Sequence, residues 1–394
     1  MTIYKKNKAL YVFIICCMFF SCSQKQKGVE ATYNIEYDDN DFVNVEKLVS
    51  EIKFIELDTI HDALIPDITD MYICNDRIYC FSNSQNGYIC VFSMDGKFLF
   101  KIQHVGKADN EWIFLRAMSI NENEGKMYLT DNWGRKILEY TLDGKFVKSY
   151  KIDMINNLEN YHDGKYFYSI TNPLQSLRKI DNNTDHLINI LDKSMSHVGK
   201  MIDVTDNSSN IMEERNNRFY KGETGLLIAP TLSPTIYRIE DTRAVPYINY
   251  KYKGNKMSFF SHDDYQEAAD NNEFIGGRDE QFYSGSIVES DELIVRQIGY
   301  YNSMDVIYNK KTGKTITTKF NSNIQNEKHL SKYFMYRSPY FSYKGKYYAP
   351  FSTQLLGFQD TFTKGYIPKE LKEIKQKVDK NAINNIIVEY KIKM

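Results

Sequence analysis

The chain has 394 residues, with 50 Lys and Arg against 51 Asp and Glu, so its formal net charge is −1. A near-neutral chain without an extended basic stretch is a poor match for nucleic acid, whose phosphates attract positively charged surfaces. Aromatic residues make up 14% of the chain, and Tyr alone occurs 31 times. Such residues suit the faces of β-strands, and they also suit surfaces that bind carbohydrates or peptides.

The first 22 residues have the pattern of a bacterial lipoprotein signal. Lys5, Lys6 and Lys8 precede an apolar run over 9–20, which is shorter than the roughly 20 residues that a membrane-spanning helix needs. The run ends in Phe-Phe-Ser-Cys, which resembles a lipobox and places Cys22 at the lipidated first position of the mature protein. We therefore predict lipidation of Cys22, with an ordinary cleaved signal as the alternative.

The residues after Cys22 bear on the location of the anchored protein. Ser23 stands where an inner-membrane lipoprotein would carry Asp, and 24–27 lacks the acidic cluster of surface-export signals. We expect the lipid anchor to hold the protein in the outer membrane of a Gram-negative bacterium, on the periplasmic face rather than the cell surface. A polar tether over 23–41 follows, too poor in apolar residues to pack.

Two later stretches, near 70–103 and 115–153, carry the same pattern. In the second, Tyr128 takes the place of Tyr79, and Asp143-Gly144 takes the place of Asp95-Gly96. Asp-Gly between alternating apolar residues predicts a tight hairpin turn, because glycine accepts the positive φ that such turns require. A unit of three or four strands repeating at this period indicates a propeller blade.

Weaker copies of the unit fill the rest of the chain and bring the count to six. They begin near residues 162, 217, 292 and 340. The alternating stretch 385–393 predicts a last strand, which we expect to join 42–57 in one blade and so close the ring. The sequence thus predicts an all-β domain over 42–394, a six-bladed propeller of four-stranded antiparallel blades. A helical insertion is expected near 256–282, and a C-terminal helix is expected from Pro368 to the closing strand.

Beyond the signal the chain has three cysteines, Cys74, Cys80 and Cys90. Cys80 and Cys90 fall on adjacent strands of the first repeat, where they could form a disulfide. The favoured alternative is buried free thiols, which behave as small hydrophobic groups.

Local motifs for catalysis are missing from the sequence. It has no His-Glu-x-x-His pair, no Gly-x-Ser-x-Gly elbow, no Walker loop and no dinucleotide-binding glycine pattern. No cofactor is predicted. The sequence neither supports nor excludes a calcium ion in the central channel, because its ligands would come from different blades and would show no characteristic spacing along the chain.

The candidate ligand-binding residues lie where loops meet near the axis. Between the first two repeats lie His104, Asp109, Glu111 and Trp112, in a crossover of the kind that rims a propeller funnel. The alternative for Glu111 and Trp112 is that they lock two blades together.

The second repeat has its own candidates at a turn that begins with Asp131, whose side chain we expect to bind backbone amides. Trp133 and Arg135 follow. Trp133 stands at a polar turn tip, where it could stack on a sugar ring or cover a neighbouring blade.

The second repeat resembles an NHL-type blade. The whole chain resembles the six-bladed β-propeller lipoproteins of Gram-negative bacteria, which are related to NHL and TolB-like propellers. The resemblance is carried by the lipobox, the paired Asp-Gly turns, the crossover loop and the C-terminal helix before a closing strand. In that family the loop is glycine-rich and ends in Glu plus an aromatic residue. This chain keeps Gly106, Glu111 and Trp112 but not the glycines between them.

The resemblance implies the fold and an envelope location, but no settled activity. We therefore predict a non-catalytic protein that binds or scaffolds an oligosaccharide, a peptide or an envelope protein. The alternative is a calcium-dependent hydrolase or lyase with its site in the central channel. A purely structural subunit of an envelope complex is a third reading.

Overall fold

Over the residues that the computed structural model describes, regular structure consists almost entirely of β-strands. The structure describes residues 31–38, 42–43, 48–152, 157–171, 186–203, 219–230, 233–254, 258–259, 280–281, 283–298, 304–319, 340–353, 374, 376–377 and 384–394.

The strands fall into six sheets and one short pair. Two strands precede the first sheet: β1 (Tyr33–Tyr37) and β2 (Val49–Glu56). Blade 1 contains β3 (Asp70–Cys74), β4 (Arg77–Ser82), β5 (Tyr88–Ser93) and β6 (Phe98–Ile102). Blade 2 contains β7 (Leu115–Asn121), β8 (Lys126–Asp131), β9 (Lys136–Thr141) and β10 (Phe146–Lys151). Blade 3 contains β11 (Asn157–His162), β12 (Phe167–Thr171), β13 (His186–Leu191) and β14 (His197–Asp203).

The second half of the ring repeats this arrangement. Blade 4 contains β15 (Phe219–Gly222), β16 (Gly225–Ile228), β17 (Thr235–Glu240) and β18 (Arg243–Tyr252). The short pair is β19 (Ser258–Phe259) and β20 (Glu280–Gln281). Blade 5 contains β21 (Tyr283–Glu289), β22 (Leu293–Ile298), β23 (Met304–Asn309) and β24 (Thr315–Lys319). Blade 6 contains β25 (Phe341–Tyr343), β26 (Lys346–Phe351) and β27 (Ile386–Ile392), and β2 is its fourth strand. Two single-turn 3₁₀ helices occur at His61–Ala63 and Ser84–Asn86.

Each blade is an antiparallel meander in which successive strands are neighbours. The first strands line the axis, since β3 contacts β7, β7 contacts β11, β15 contacts β21, β21 contacts β25, and β25 returns to β3. The predicted six-bladed propeller of four-stranded blades is confirmed.

The predicted Asp-Gly turns join the third and fourth strands of blades 1 and 2. Gly96 has φ +85° and Gly144 has φ +79°, which are positive angles that favour glycine. A β-carbon on Gly96 would also lie 2.0 Å from the Glu56 carbonyl oxygen on the closing strand. Glycine is therefore required there for the turn and for the blade packing.

The ring closes by pairing an N-terminal strand with a C-terminal one. Strand β2 forms the outer edge of blade 6 and pairs antiparallel with β27, with Phe54 opposite Val388 and Ile55 opposite Ile387. Ile55, Ile387 and Val388 are buried. The closure expected between 42–57 and 385–393 is thus present.

The N-terminal segment is more ordered than the sequence suggests. Within the stretch expected as tether, β1 pairs in parallel with β18 and adds a fifth strand to blade 4. Ile35 and Tyr37 are buried, while Asn34 and Glu36 are exposed. This alternation is too short for the sequence alone to distinguish a strand from the polar residues around it. Any tether is therefore shorter than 23–41.

Tyrosines on second strands hold neighbouring blades together. The Tyr79 hydroxyl of blade 1 donates to the Leu142 carbonyl oxygen of blade 2 at 3.0 Å. The Tyr168 hydroxyl of blade 3 likewise donates to the Asp241 carbonyl oxygen of blade 4 at 3.0 Å. Burial raises the pKa of Tyr79 to about 12, so its phenol stays a donor at any physiological pH. Many of the tyrosines therefore serve the fold rather than a ligand surface.

The predicted helices fall largely outside the described residues. In the insertion near 256–282, the described residues are those of the parallel pair β19 and β20. After Pro368 the described residues Ile374, Gln376 and Lys377 are helical. Over the described parts of the chain, no helix has the length and apolarity to cross a membrane.

The three cysteines are buried free thiols in blade 1. Cys80 and Cys90 lie directly opposite each other on β4 and β5, as their spacing suggested. Burial raises the pKa of Cys74 and of Cys90 to about 12, and it raises the pKa of Cys80 well above its usual value.

Native protein should therefore resist thiol alkylation even at pH 9, because the reactive thiolate is scarce and shielded. We expect iodoacetamide to leave Cys74, Cys80 and Cys90 unmodified in the folded chain and to modify all three in denaturant, as read by peptide mass spectrometry. Native labelling of any of the three, or a Cys80–Cys90 disulfide peptide, would contradict this arrangement.

Candidate functional site

The candidate residues lie on one face of the ring, here called the crossover face. It comprises the crossover 103–114 between blades 1 and 2 and the second-to-third-strand turns 83–87 and 132–135. Because successive strands of a blade run antiparallel, its entry crossover and its second-to-third-strand turn share one end. The sequence-predicted residues of blades 1 and 2 are thus brought to the same edge.

Trp112 fastens the crossover to blade 1. Its side chain is fully buried, and its indole Nε1–H donates to the Gly87 carbonyl oxygen at 3.1 Å. Its backbone N–H donates to the His104 carbonyl oxygen, and its own carbonyl oxygen accepts from Gly106 N–H, both at 2.9 Å. Trp112 therefore packs the loop and presents no surface to a ligand.

Glu111 orders the inside of the same loop. Its Oε2 accepts the Ala108 backbone N–H at 2.9 Å. A β-carbon on Gly106 would lie 1.9 Å from that oxygen, so glycine is needed for the carboxylate to fold back. His104 and Asp109, by contrast, are exposed and available at the loop surface.

Asp131 clamps the crossover to the turn of blade 2. Its side chain is fully buried and accepts three backbone N–H bonds, from Gly134 at 2.9 Å and from Ile113 and Phe114 at 3.1 Å. The Gly134 bond is the local one that the turn predicts. The other two cross from the adjacent loop, and local spacing gives no signal for them.

Two further bonds hold the crossover against blade 2. The Lys136 ammonium donates to the Ala108 carbonyl oxygen at 2.7 Å, and the Tyr140 hydroxyl donates to the Asn110 carbonyl oxygen at 3.0 Å. Lys136 and Tyr140 are both buried. The crossover is thus anchored along much of its length, so side chains displayed from it have fixed positions.

Trp133 is displayed on this rigid support. Its side chain is 68% exposed, the largest fraction among the exposed large hydrophobic residues that the structure describes. Its ring stacks on the half-buried Phe114 ring, with centroids 5.3 Å apart and planes at 29°. We call this pair the Trp133 platform.

Arg135 completes the turn that carries the platform. It has φ +50° and an exposed side chain, and its carbonyl oxygen accepts the Ile152 N–H at 2.9 Å. Of the six residues predicted to bind a ligand, His104, Asp109, Trp133 and Arg135 are accessible. Phe114 was not among them, because its contact with Trp133 appears only once the crossover meets the turn.

The opposite face of the ring, where first strands turn into second strands, holds a cavity of about 250 Å³. It lies between the first strands of blades 4, 5 and 6 and is lined by 220–223, 287–291 and 340–345. Sequence reasoning missed it because the three lining segments are far apart in the chain and belong to different blades.

A buried carboxylate lies in the wall of this cavity. Glu289 accepts the Tyr247 hydroxyl at 2.8 Å, the Lys310 ammonium at 3.2 Å and the Glu223 backbone N–H at 3.0 Å. Desolvation and a hydrogen bond to Asp291 raise the pKa of Glu223. Among the described residues, no group of three or more His, Cys, Asp or Glu side chains is placed to hold a metal, so none can be assigned to the calcium ion considered above.

Many solved structures share this fold, among them two from Bacteroides species. An exported protein, so described, from Bacteroides fragilis NCTC 9343 superposes with a TM-score of 0.73 at 16% identity, over 92% of this chain and 100% of that one. A member of the DUF4221 family from Bacteroides vulgatus superposes with a TM-score of 0.52 at 9% identity, over 88% of this chain and 98% of that one. At these identities the likeness establishes the fold alone.

The sequence itself also matches a family model. No curated protein matches the chain. The model of a domain of unknown function, DUF4934, matches residues 30–391, which run from before β1 to the next-to-last residue of β27 and so span all six blades. The chain therefore belongs to the DUF4934 family.

Proposed function

We propose that this protein is a non-catalytic, lipid-anchored binding protein of the cell envelope, whose crossover face binds an oligosaccharide through the Trp133 platform. The observation that carries the proposal is the 68% exposure of an indole ring that is stacked and rigidly mounted. The apolar surface of an exposed Trp side chain leaves water only when another molecule covers it, and that burial favours binding. The apolar face of a sugar ring is flat and matches an indole in size.

The mounting of the platform favours binding. The Asp131 clamp and the stacked Phe114 ring fix the position of Trp133 before any ligand arrives. A preformed surface loses less conformational entropy on association than a mobile one does. A single aromatic platform of this kind can therefore supply useful affinity.

Exposed polar groups on the same two loops can orient a bound sugar. Arg135 donates several N–H bonds, Asp109 accepts, and His104 can do either according to its tautomer. Hydroxyl groups of a sugar need both donors and acceptors. A peptide or a partner protein would use the same aromatic anchor, and the experiment below separates these ligands.

A glycan array and a peptide array, each probed with the purified chain, test the proposal. We expect saturable binding to a subset of glycans, and a loss of about 10-fold or more in affinity for Trp133→Ala, which corresponds to about 1.4 kcal/mol. Val198→Ala is the matched control, because Val198 is also an exposed hydrophobic side chain but lies on the outer strand of blade 3. Glycan binding that survives Trp133→Ala, or binding to peptides alone, would contradict the proposal.

The location has its own test. The proposal is supported by the basic, apolar and cysteine pattern of residues 1–22. Cys22→Ala should move the protein from the membrane fraction to the soluble fraction, because the acyl chains would no longer be attached. Cys17→Ala is the control and should leave the protein on membranes. A Cys22→Ala variant that stays on membranes would rule out this anchor.

A further inference from the structure

The cavity on the face opposite the Trp133 platform has features of a second site. Its volume of about 250 Å³ suits a small molecule rather than a macromolecular segment. Half-buried Tyr220, Tyr340 and Tyr343 contribute aromatic surface to its lining. A concave site with aromatic walls and a few convergent polar groups is the usual form of a small-ligand site.

The basic side chains around this cavity are matched with acids other than Glu223 and Asp291. Lys221 contacts Glu122 of blade 2 at 2.8 Å, and Lys344 contacts Asp76 of blade 1 at 2.6 Å. Lys310 and Lys311 lie on the third-to-fourth-strand turn of blade 5, on the same face of the ring as the cavity. They pair with Glu289 at 3.2 Å and with Glu292 at 2.5 Å, respectively.

Glu223 and Asp291 both line the cavity, on the first-to-second-strand turns of blades 4 and 5, and neither forms a salt bridge with another described residue. Both side chains are exposed, and desolvation together with the neighbouring Asp291 carboxyl raises the pKa of Glu223. Nearby Glu289 adds to the negative potential, and Lys310 offsets it in part. Two neighbouring carboxylates attract an ammonium group, which has three N–H donors and can donate to both carboxylates at once.

We propose that this cavity binds a small organic cation, in which a primary ammonium group lies between Glu223 and Asp291 and an apolar body lies against the tyrosine rings. Glu289 supports the site without contacting the ligand, since it accepts the Glu223 backbone N–H and fixes the turn. Cation–π attraction to the tyrosine rings adds to the charge pairing. The site is separate from the Trp133 platform and does not depend on it.

Calorimetric titration of the purified full chain with two amines and their matched alcohols tests this proposal. The amines are cadaverine and tyramine, and the alcohols are 1,5-pentanediol and tyrosol. At pH 8 we expect saturable binding of at least one amine, and at least about 10-fold weaker binding of its alcohol. Binding should weaken from pH 8 to pH 5, because the pKa of Glu223 is raised and the protonated carboxyl group no longer attracts the ammonium.

Three substitutions locate the binding. Glu223→Gln and Asp291→Asn should each weaken amine binding by about 10-fold or more, whereas Glu292→Gln, on the same turn as Asp291 but outside the cavity lining, should not. Trp133→Ala should leave amine binding unchanged, so the two proposals fail independently. Equal binding of amine and alcohol, no saturable amine binding at pH 8, or wild-type affinity in both variants would overturn the proposal. If a variant does not unfold cooperatively, the proposal is tested instead by the wild-type protein, through its relative affinity for amine and alcohol and the pH dependence of its amine binding.

Discussion

Trp112→Ala is expected to destabilise the folded chain by about 3–5 kcal/mol, the usual cost of removing a fully buried large aromatic side chain. The substitution leaves a cavity beneath the crossover and removes the donor to the Gly87 carbonyl oxygen. The measurement is the free energy of unfolding by chemical denaturation, under conditions where unfolding is reversible.

The second tryptophan of the chain is the matched control for this prediction. Trp133→Ala removes a side chain that is 68% exposed, so the free energy of unfolding should change by less than about 0.5 kcal/mol. The two substitutions thus separate a packing role from a surface role. Similar losses from both, or a negligible loss from Trp112→Ala, would contradict the placement of these residues.

Deletion of residues 386–394 should abolish cooperative folding. The strand β27 lies between β26 and β2 in blade 6, so its removal leaves β2 without a partner, exposes one edge of β26 and opens the ring. The unpaired edges would favour association between copies. We expect no cooperative thermal transition by circular dichroism and aggregates by size-exclusion chromatography.

Deletion of Tyr33–Tyr37 is the control for the closure. It removes β1, which pairs with β18 at the outer edge of blade 4 and buries Ile35 and Tyr37 but takes no part in the closure of blade 6. The shortened chain should remain monodisperse and melt cooperatively, at a lower temperature than the intact chain. A cooperative transition in the chain lacking 386–394 would show that blade 6 does not close the ring.

The ring could be predicted from sequence because its cues are local. The Asp95-Gly96 and Asp143-Gly144 turns each predict a hairpin from a few neighbouring residues. The alternation of apolar and polar residues over 385–393 predicts a strand that needs a partner. Strand β1 was missed because its alternation covers five residues beside a polar segment. The partner that stabilises it, β18, lies more than 200 residues away.

The candidate site was predictable only in part. Loop position and residue type suggested the crossover and the turn at Trp133, but burial separates the roles of the residues within them. Trp112 is a packing residue because its indole N–H bonds to the Gly87 carbonyl oxygen. Asp131 is one because its carboxylate accepts the Ile113 and Phe114 N–H groups. These bonds join separate segments of the chain, so local sequence does not reveal them. The cavity needs three blades side by side, so no single stretch of sequence could reveal it.

The central claim, that Trp133 contacts the ligand, is tested most directly by its own fluorescence. The chain has two tryptophans, so Trp112→Phe leaves Trp133 as the sole indole reporter. Titration of this variant with the strongest glycan from the array should shift its emission to the blue and protect it from quenching by iodide, since the sugar displaces water from the ring. Saturating glycan that leaves both the emission and the quenching unchanged would contradict the claim.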